Sequence, residues 1–580
     1  MKKALAFVLA LTALFALAGC NTAGNTQAAT TAPPQTSQTA GATQAPTETQ
    51  LDYLNLDSTM PIVKEGSSLT LKLISVQGDW VTATPKDHWI WAFFKKYCNL
   101  DLDVKYYQAG SWSEQRNLLF TSGDLPDIFY QCPFDANDIV RYGQAEGMFY
   151  PLEGLISQYA PLIQQTINQH PNFSIEATTP DGHMYCIPRM VQEGVELNTA
   201  RVFINQSWLD KGKMKMPATV EELIAALKFF KDGDPNGNGQ EDEIPWLASA
   251  GNGSISVTLM LTALGMNTDT TMEPFVKSDG KTISIAVAED NYIHYLEYMK
   301  QMMADGLINS DLYTMTPEQI SATLSKNIVG LSGMAAPFVY MPEPEQYRQY
   351  ESLVPLTSAY NSEKVWTGTS AIVQGTFAIS HTTKYPEACI RMANVFFEHD
   401  QPGGMALLFF VGSLKSDSYE PKYTVEGWEP VTWKYDNGAW TPTSPDGTDL
   451  WTYINNRIGI TTNGPVGVSY KEAEVGELLG KASVMPDNES FWRASMQKNV
   501  APYEKLKMPT LFFDVQSLER VNELITPITD YIKTMEAKFI TGNEPLENIA
   551  AFKDQLKKLG IEEYLQIYQK AYDAYLANAK

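Results

Sequence analysis

Basic residues, histidine and cysteine are all scarce in this chain of 580 residues. Lys and Arg number 43 against 67 Asp and Glu, for a net charge of −24. Nucleic-acid phosphates are held by basic surfaces, so the deficit argues against a nucleic-acid partner, and it disfavours a strongly anionic ligand. The six histidines are scattered. HExxH, GxSxG and a dinucleotide fingerprint are missing. Gly476–Lys481 (GELLGK) is one residue too tight for a phosphate loop and runs on into Ala482. These gaps predict a protein that is not an enzyme, although a glycosidase carboxylate pair stays open among so many acids. Beyond Cys20 there are four cysteines, Cys98, Cys132, Cys186 and Cys389, with no CxxC and no Cys/His cluster, so zinc is not expected. They read as buried free thiols.

What the chain does carry begins at its N-terminus. Lys2 and Lys3 precede an apolar run, Ala4–Ala18, too short to span a bilayer. A basic start, a short apolar core and small residues describe a secretory signal over 1–19. Leu17-Ala18-Gly19-Cys20 resembles the bacterial lipobox, which implies cleavage before Cys20 and a lipid on its sulfur. The following residues to about 65 open on a stretch rich in Thr, Ala, Gln, Ser, Gly and Pro, a disordered tether. The expected location is the extracytoplasmic face of the cell membrane, held there by lipid alone.

The remaining chain is too long for one core and predicts two lobes. Leu69–Val76, Asp103–Tyr107 and Asp127–Tyr130 read as strands, with helices over His88–Tyr97 and Ser113–Thr121 between them. This alternation predicts an α/β fold with a mostly parallel sheet. Ligands of such sheets bind beyond the strands' carboxyl ends, which places Trp80 and Tyr130 near a binding edge.

Lys231–Trp246 reads KDGDPNGNGQEDEIPW. Oxygen-bearing side chains alternate with small residues, as a hard cation such as Ca²⁺ requires. Two registers fit: an EF-hand expression counted from Asp232 to Glu243, and one starting at Asp234. A helix over Glu221–Phe230 leads in, and Ile244-Pro245-Trp246 starts a strand, so a structural ion is expected rather than a sensor.

LLFTSGDLPDIFY, ending at Tyr130, closely resembles the SGDLPDI motif of bacterial extracellular solute-binding proteins of family 1. GMFYPLEGL, DGHMYCIP and INQSWLDKGKMKMPATVEEL follow in the family's order. Later stretches, ISHTTKYPEACIRMANVF and LKKLGIEEYLQIYQKAYDAY among them, resemble the lipoprotein branch around the alginate-oligosaccharide-binding proteins. Asn205 stands where that family usually has Arg, and Ser207 where it has Asp.

The resemblance implies a two-lobed periplasmic-binding-protein-like fold of type II, with a cleft between the lobes and a helical C-terminal cap. Lobe one is expected over 66–188 and 365–411, lobe two over 189–362 and 412–515, and the closing helices over 516–580. It implies the Asp234 register for Ca²⁺: Asp234, Asn236, Asn238, the Gln240 carbonyl, Asp242 and Glu243. It implies a monomeric receptor that captures a neutral oligosaccharide and delivers it to the permeases of an ABC importer. The alternative is a surface polysaccharide-processing enzyme or adhesin on the same tether. Sugar rings stack on aromatic side chains, so Trp80, Tyr130, Trp246, Trp366 and Trp451, with Asn205 as a polar contact, are the expected ligand residues. Trp246 is the first choice among them.

Overall fold

The structure is a computed structural model that describes residues 51–191, 200–249, 257–401, 403–416, 419–436, 439–448, 450–459, 466–469 and 487–579. The signal sequence, Cys20 and most of the tether lie outside the described residues.

Lobe one opens on strand β1 (Leu69–Gln77), whose first half alternates buried and exposed side chains and whose second half is buried throughout. That is the pattern of a strand running from a sheet margin into a covered interior. Helix α1 (Trp89–Cys98) turns Trp89, Ile90, Trp91, Phe93 and Phe94 inward, and Asn99 ends it in the left-handed conformation. Strand β2 (Leu100–Gln108), helix α2 (Trp112–Ser122), strand β3 (Ile128–Tyr130) and strand β4 (Cys186–Met190) follow. Lobe two begins with strand β5 (Val202–Asn205) and helix α3 (Gln206–Lys211). Helix α4 (Val220–Asp232) is started by the Thr219 side chain, which accepts from the Glu222 amide. Strands β6 (Ile244–Leu247), β7 (Val329–Gly333) and β8 (Tyr350–Ser352) complete its sheet, in the order β8-β5-β7-β6.

The chain then passes back. Strand β9 (Trp366–Gly368) lies in the crossing, and strand β10 (Ile372–Ile379) enters lobe one's sheet between β3 and β4, antiparallel to both. Strand β11 (Gly467–Val468) adds to the far side of β4. The six-stranded order is β11-β4-β10-β3-β1-β2, with β1 parallel to β2 and β3. Strand β12 (Glu504–Leu506) pairs with β9 in parallel and forms a small hinge sheet.

Three closing helices follow, α5 (Val515–Ile540), α6 (Ile549–Lys558) and α7 (Ile561–Asn578). Leu518, Val521, Leu524, Ile528, Phe552 and Tyr564 from them join the core of lobe two, so the cap belongs to that lobe. The stretch expected wholly in lobe two, 412–515, is divided. The helix Gly404–Val411 brings Phe409 against Phe93 and Phe94 of α1. Farther along, Gly467 and Val468 pair with Arg189 and Met190 in lobe one's sheet. Trp492 and Met496 lie in the lobe-two core. Cys98, Cys132, Cys186 and Cys389 are free and buried, and burial pushes their thiols up. Among the described residues no helix is long and apolar enough to cross a membrane.

Candidate functional site: a cleft edge and an oxygen-rich loop

The chain leaves the carboxyl end of β4 and enters lobe two at the amino end of β5. β7 runs antiparallel to β5 and β6 runs parallel to β7. The carboxyl ends of β6 and β7 therefore lie toward the hinge, as do those of β1 to β4. Both sheets present to the crossing the edge at which α/β folds bind ligands.

On the lobe-one edge, the turn after β1 holds Trp80, one of the few large apolar side chains left open, at 69% exposure. Its indole lies flat over Gly78, where a Cβ would sit 2.6 Å from the ring. Asp79 Oδ1 accepts from the Gly110 amide at 3.0 Å and ties the turn to the loop after β2. The last residues of β1 and β2, Gln77 and Gln108, are register partners. Both donate through Nε2 to the Val81 carbonyl at 3.3 Å. Both leave a buried Oε1 without a donor. A buried acceptor left unpaired is costly. The exposed Trp80 ring at the carboxyl end of β1 offers an apolar face of the kind that stacks on a sugar.

The other expected ligand residues are placed differently. Tyr130 is enclosed by Trp91, edge-on at 5.6 Å, and by Phe396, stacked at 5.4 Å. Its hydroxyl accepts from Gln131 Nε2 at 3.0 Å. Asn205 caps helix α3: its Oδ1 accepts from the Trp208 amide at 3.2 Å and from Ser207 Oγ at 2.7 Å. That capping role suits Asn better than the Arg usual at this place. Trp366 lies in the hinge and donates through Nε1 to the Ala200 carbonyl at 2.7 Å. Trp246 sits in the lobe-two core with no exposed surface, and its Nε1 is buried without an acceptor. It shares a buried cluster with Phe230 of α4, Trp208 of α3 and Leu331 of β7, which leaves its ring no open face. The backbone of Trp451 begins a short helix, Leu450–Tyr453, and its side chain lies outside the described residues. Sequence reasoning missed Gln77 and Gln108. Their signal was a glutamine closing each of two adjacent strands at the binding edge.

The second feature is the loop between α4 and β6. Asp234 adopts a positive φ of 43°. Its Oδ1 accepts from the amides of Gly237 at 3.0 Å and Asn238 at 3.1 Å, and its Oδ2 from that of Gly239 at 3.1 Å. Asn236 Nδ2 meets Asp242 Oδ1 at 2.9 Å, and Asn238 Nδ2 meets both Asp242 oxygens at 3.1 Å. The Gln240 amide donates to Asn238 Oδ1 at 2.7 Å, and the Asn236 amide approaches Glu243 Oε1 at 3.5 Å. The loop thus closes around Asp234, while Asp232 ends α4 outside it. Among the described residues no three His, Cys, Asp or Glu side chains gather as a metal cluster; this donor set mixes carboxylates with amides. A half-turn of either Asn amide exchanges its NH₂ for oxygen, so the same cage fits a hard cation. Lys211 Nζ donates to the Pro235 carbonyl and fastens the loop to α3.

Two α/β lobes joined by paired hinge strands, with their sheet edges turned to the hinge, make up a two-lobed α/β fold that solved solute-binding proteins share. No family model matches the chain. The fructooligosaccharide ABC transporter substrate-binding protein FusA of Streptococcus pneumoniae is 25% identical over 527 residues, 88% of this chain and 91% of its own. The FusA structure in complex with kestose aligns with a TM-score of 0.70 at 23% identity, over 88% of this chain and 100% of that one. An HMO-binding solute-binding protein from Bifidobacterium longum infantis gives 0.69 at 21% identity, over 88% and 99%. The alginate-binding protein AlgQ2, solved without calcium ion, gives 0.62 at 21% identity, over 88% and 98%. FusA has also been solved as an EF-hand mutant. The chain is a homologue of ABC-transporter substrate-binding proteins.

Proposed function

We propose that this protein captures a neutral oligosaccharide between its lobes and hands it to the permeases of an ABC importer. It works as a monomer, without catalysis, tethered through a lipid on Cys20 to the outer face of the cell membrane. The observation that carries the reading is the open Trp80 ring against Gly78, in the turn that leaves β1 at the binding edge. The similarity to FusA supports it. The net charge of −24 favours an uncharged sugar. In the loop, Asp234, Asn236, Asn238, the Gln240 carbonyl, Asp242 and Glu243 would hold Ca²⁺. The ion would supply positive charge among the loop's carboxylates and fix the start of β6.

The test is calorimetry against a panel of neutral oligosaccharides, fructans included. At least one should bind and be recovered unchanged; shortened products would mean an enzyme, and an empty panel would remove the sugar. Trp80→Ala should then cost on the order of 1–3 kcal/mol, by analogy with ring stacking on bases. That is about tenfold to a hundredfold in Kd. Its melting temperature should stay near wild type, because the ring covers little more than Gly78. Unchanged affinity would take Trp80 out of the site.

The anchor has a separate test. Cys20→Ala removes the only sulfur the lipobox offers, so the protein should leave the membrane fraction. Retention equal to wild type would refute the lipid.

A further inference from the structure

We propose that Glu176 is a positioning residue for capture: its side chain clasps two hinge segments to lobe one and sets the angle between the lobes. This rests on the binding-protein reading above.

Glu176 closes the short helix Pro171–Ile175 of lobe one and is buried, at 4% exposure. Its Oε2 accepts from Ser370 Oγ at 2.6 Å. Ser370 belongs to the crossing between β9 and β10. The same oxygen accepts from the Thr510 amide at 3.1 Å. Thr510 lies between hinge strand β12 and the lobe-two helix α5. One carboxylate oxygen thus joins lobe one, the returning crossing and the segment that leads into the closing helices. The Glu176 carbonyl takes a further bond from Gln374 Nε2, on β10.

The other ties across the hinge hold the crossings to each other. Val191 N donates to the Ala371 carbonyl at 2.8 Å, and Lys507 N to the Gly368 carbonyl at 2.9 Å. Trp366 Nε1 reaches Ala200 O at 2.7 Å. Lys507 Nζ is occupied by Asp269 and Glu273 of lobe two, at 2.8 and 2.9 Å. These bonds travel with the hinge. The Glu176 bond to Thr510 runs from lobe one into the segment that leads to lobe two, so rotation of the lobes must stretch or break it. In a two-state hinge, a contact present in one arrangement and absent from the other biases the equilibrium by its own free energy.

The groups that face the carboxyl are Ser370 and Thr510, with Tyr575 of α7 close enough to feel its charge. None of them is a cation. Burial accordingly holds the Glu176 carboxyl above the ordinary range. The sign follows: a group whose pKa is raised in the clasped form favours that form when protonated. The clasp is firmest below the ordinary glutamate range and loosens as pH rises through the shifted value. Glutamine keeps an acceptor oxygen and carries no charge. Alanine keeps neither.

The experiment measures lobe separation without ligand, so it does not depend on which sugar binds. Spin labels go on Leu118→Cys in α2 and Val339→Cys in the lobe-two helix Pro337–Tyr340, both exposed in wild type at 59% and 56%. The full chain carries Cys20→Ser as well; the four other cysteines are buried and stay unlabelled. Distance distributions are recorded over a pH series that starts below the ordinary glutamate value and rises to about 8. In the background with Glu176 intact, the distribution should be narrow at the low end and broader at the high end. Glu176→Gln should be narrow throughout, and Glu176→Ala broad throughout. Rescue by glutamine together with loss of the pH response identifies the carboxyl. If all three chains give one distribution at every pH, or if the pH response survives in Glu176→Gln, the clasp is overturned. A sugar-binding failure with these distances as expected would remove the oligosaccharide reading and leave the clasp in place.

Discussion

Trp246→Ala should lower the folding free energy by about 3–5 kcal/mol, the range found when a buried aromatic side chain is deleted. The indole has no exposed surface. It belongs to the cluster that includes Leu331 of β7, Ile308, Phe230 of α4 and Trp208 of α3. A cavity there would lie between strand and helix layers that several long-range contacts hold apart, so little collapse can refill it. Trp246→Phe should cost much less. It keeps most of the volume and removes the Nε1–H, which is buried without an acceptor and which is itself worth about 1–3 kcal/mol of penalty. Chemical denaturation of both variants measures the difference. The same proteins test whether Trp246 is a ligand-stacking ring: a Trp246→Phe protein of near wild-type stability should bind its sugar as wild type does. A hundredfold weaker Kd with stability intact would return Trp246 to the site.

Removing calcium should have an effect of similar size. An ion present at a thousand times its dissociation constant adds about 4 kcal/mol to a fold that alone binds it. Chelation should therefore lower the melting temperature of wild type. The discriminating variant is Asp242→Asn. It removes charge from the carboxylate that both Asn236 and Asn238 approach and keeps an oxygen in place. Its melting temperature without calcium should match chelated wild type, and added calcium should raise it far less. Asp234→Ala is a poorer probe, because Asp234 also accepts three backbone amides and its loss weakens the loop with or without an ion. Melting curves for wild type that coincide with and without chelator would dismiss the ion.

Much of the fold was legible because local patterns agreed with one another. The apolar run of β1, the aromatic face of α1 and the Ser-Gly-Asp-Leu-Pro turn before β3 each lie within a residue or two of where the sequence puts them. The oxygen-rich loop was equally plain, since its spacing is its chemistry. The site was less legible. Trp80, Trp246 and Trp366 look alike in sequence, each an aromatic residue near a strand or hinge. Only packing separates a ring lying open over Gly78 from one sealed beneath β7 or pinned to Ala200. Asn205 looked like a ligand contact for the same reason; its role as a helix cap depends on which amide lies within its reach. The division of 412–515 was hidden because β11 is two residues long and carries no periodicity to read.

The placement of β10 has a consequence for how the molecule is made. In lobe one's sheet, β3 and β4 are separated by a strand that the ribosome produces only after the whole of lobe two's sheet. Until then both strands have an unpaired flank. Pairings between strands so far apart in the chain close slowly, and open flanks invite contact with other chains in the meantime. Lobe two, whose four strands are consecutive apart from long helical excursions, can close first and wait. Lobe one's sheet therefore closes after lobe two's, although the helices that complete the lobe-two core are made last of all, and a ribosome-release or stopped-flow experiment that follows the two sheets separately should see Trp246 become protected from solvent before Tyr130 does.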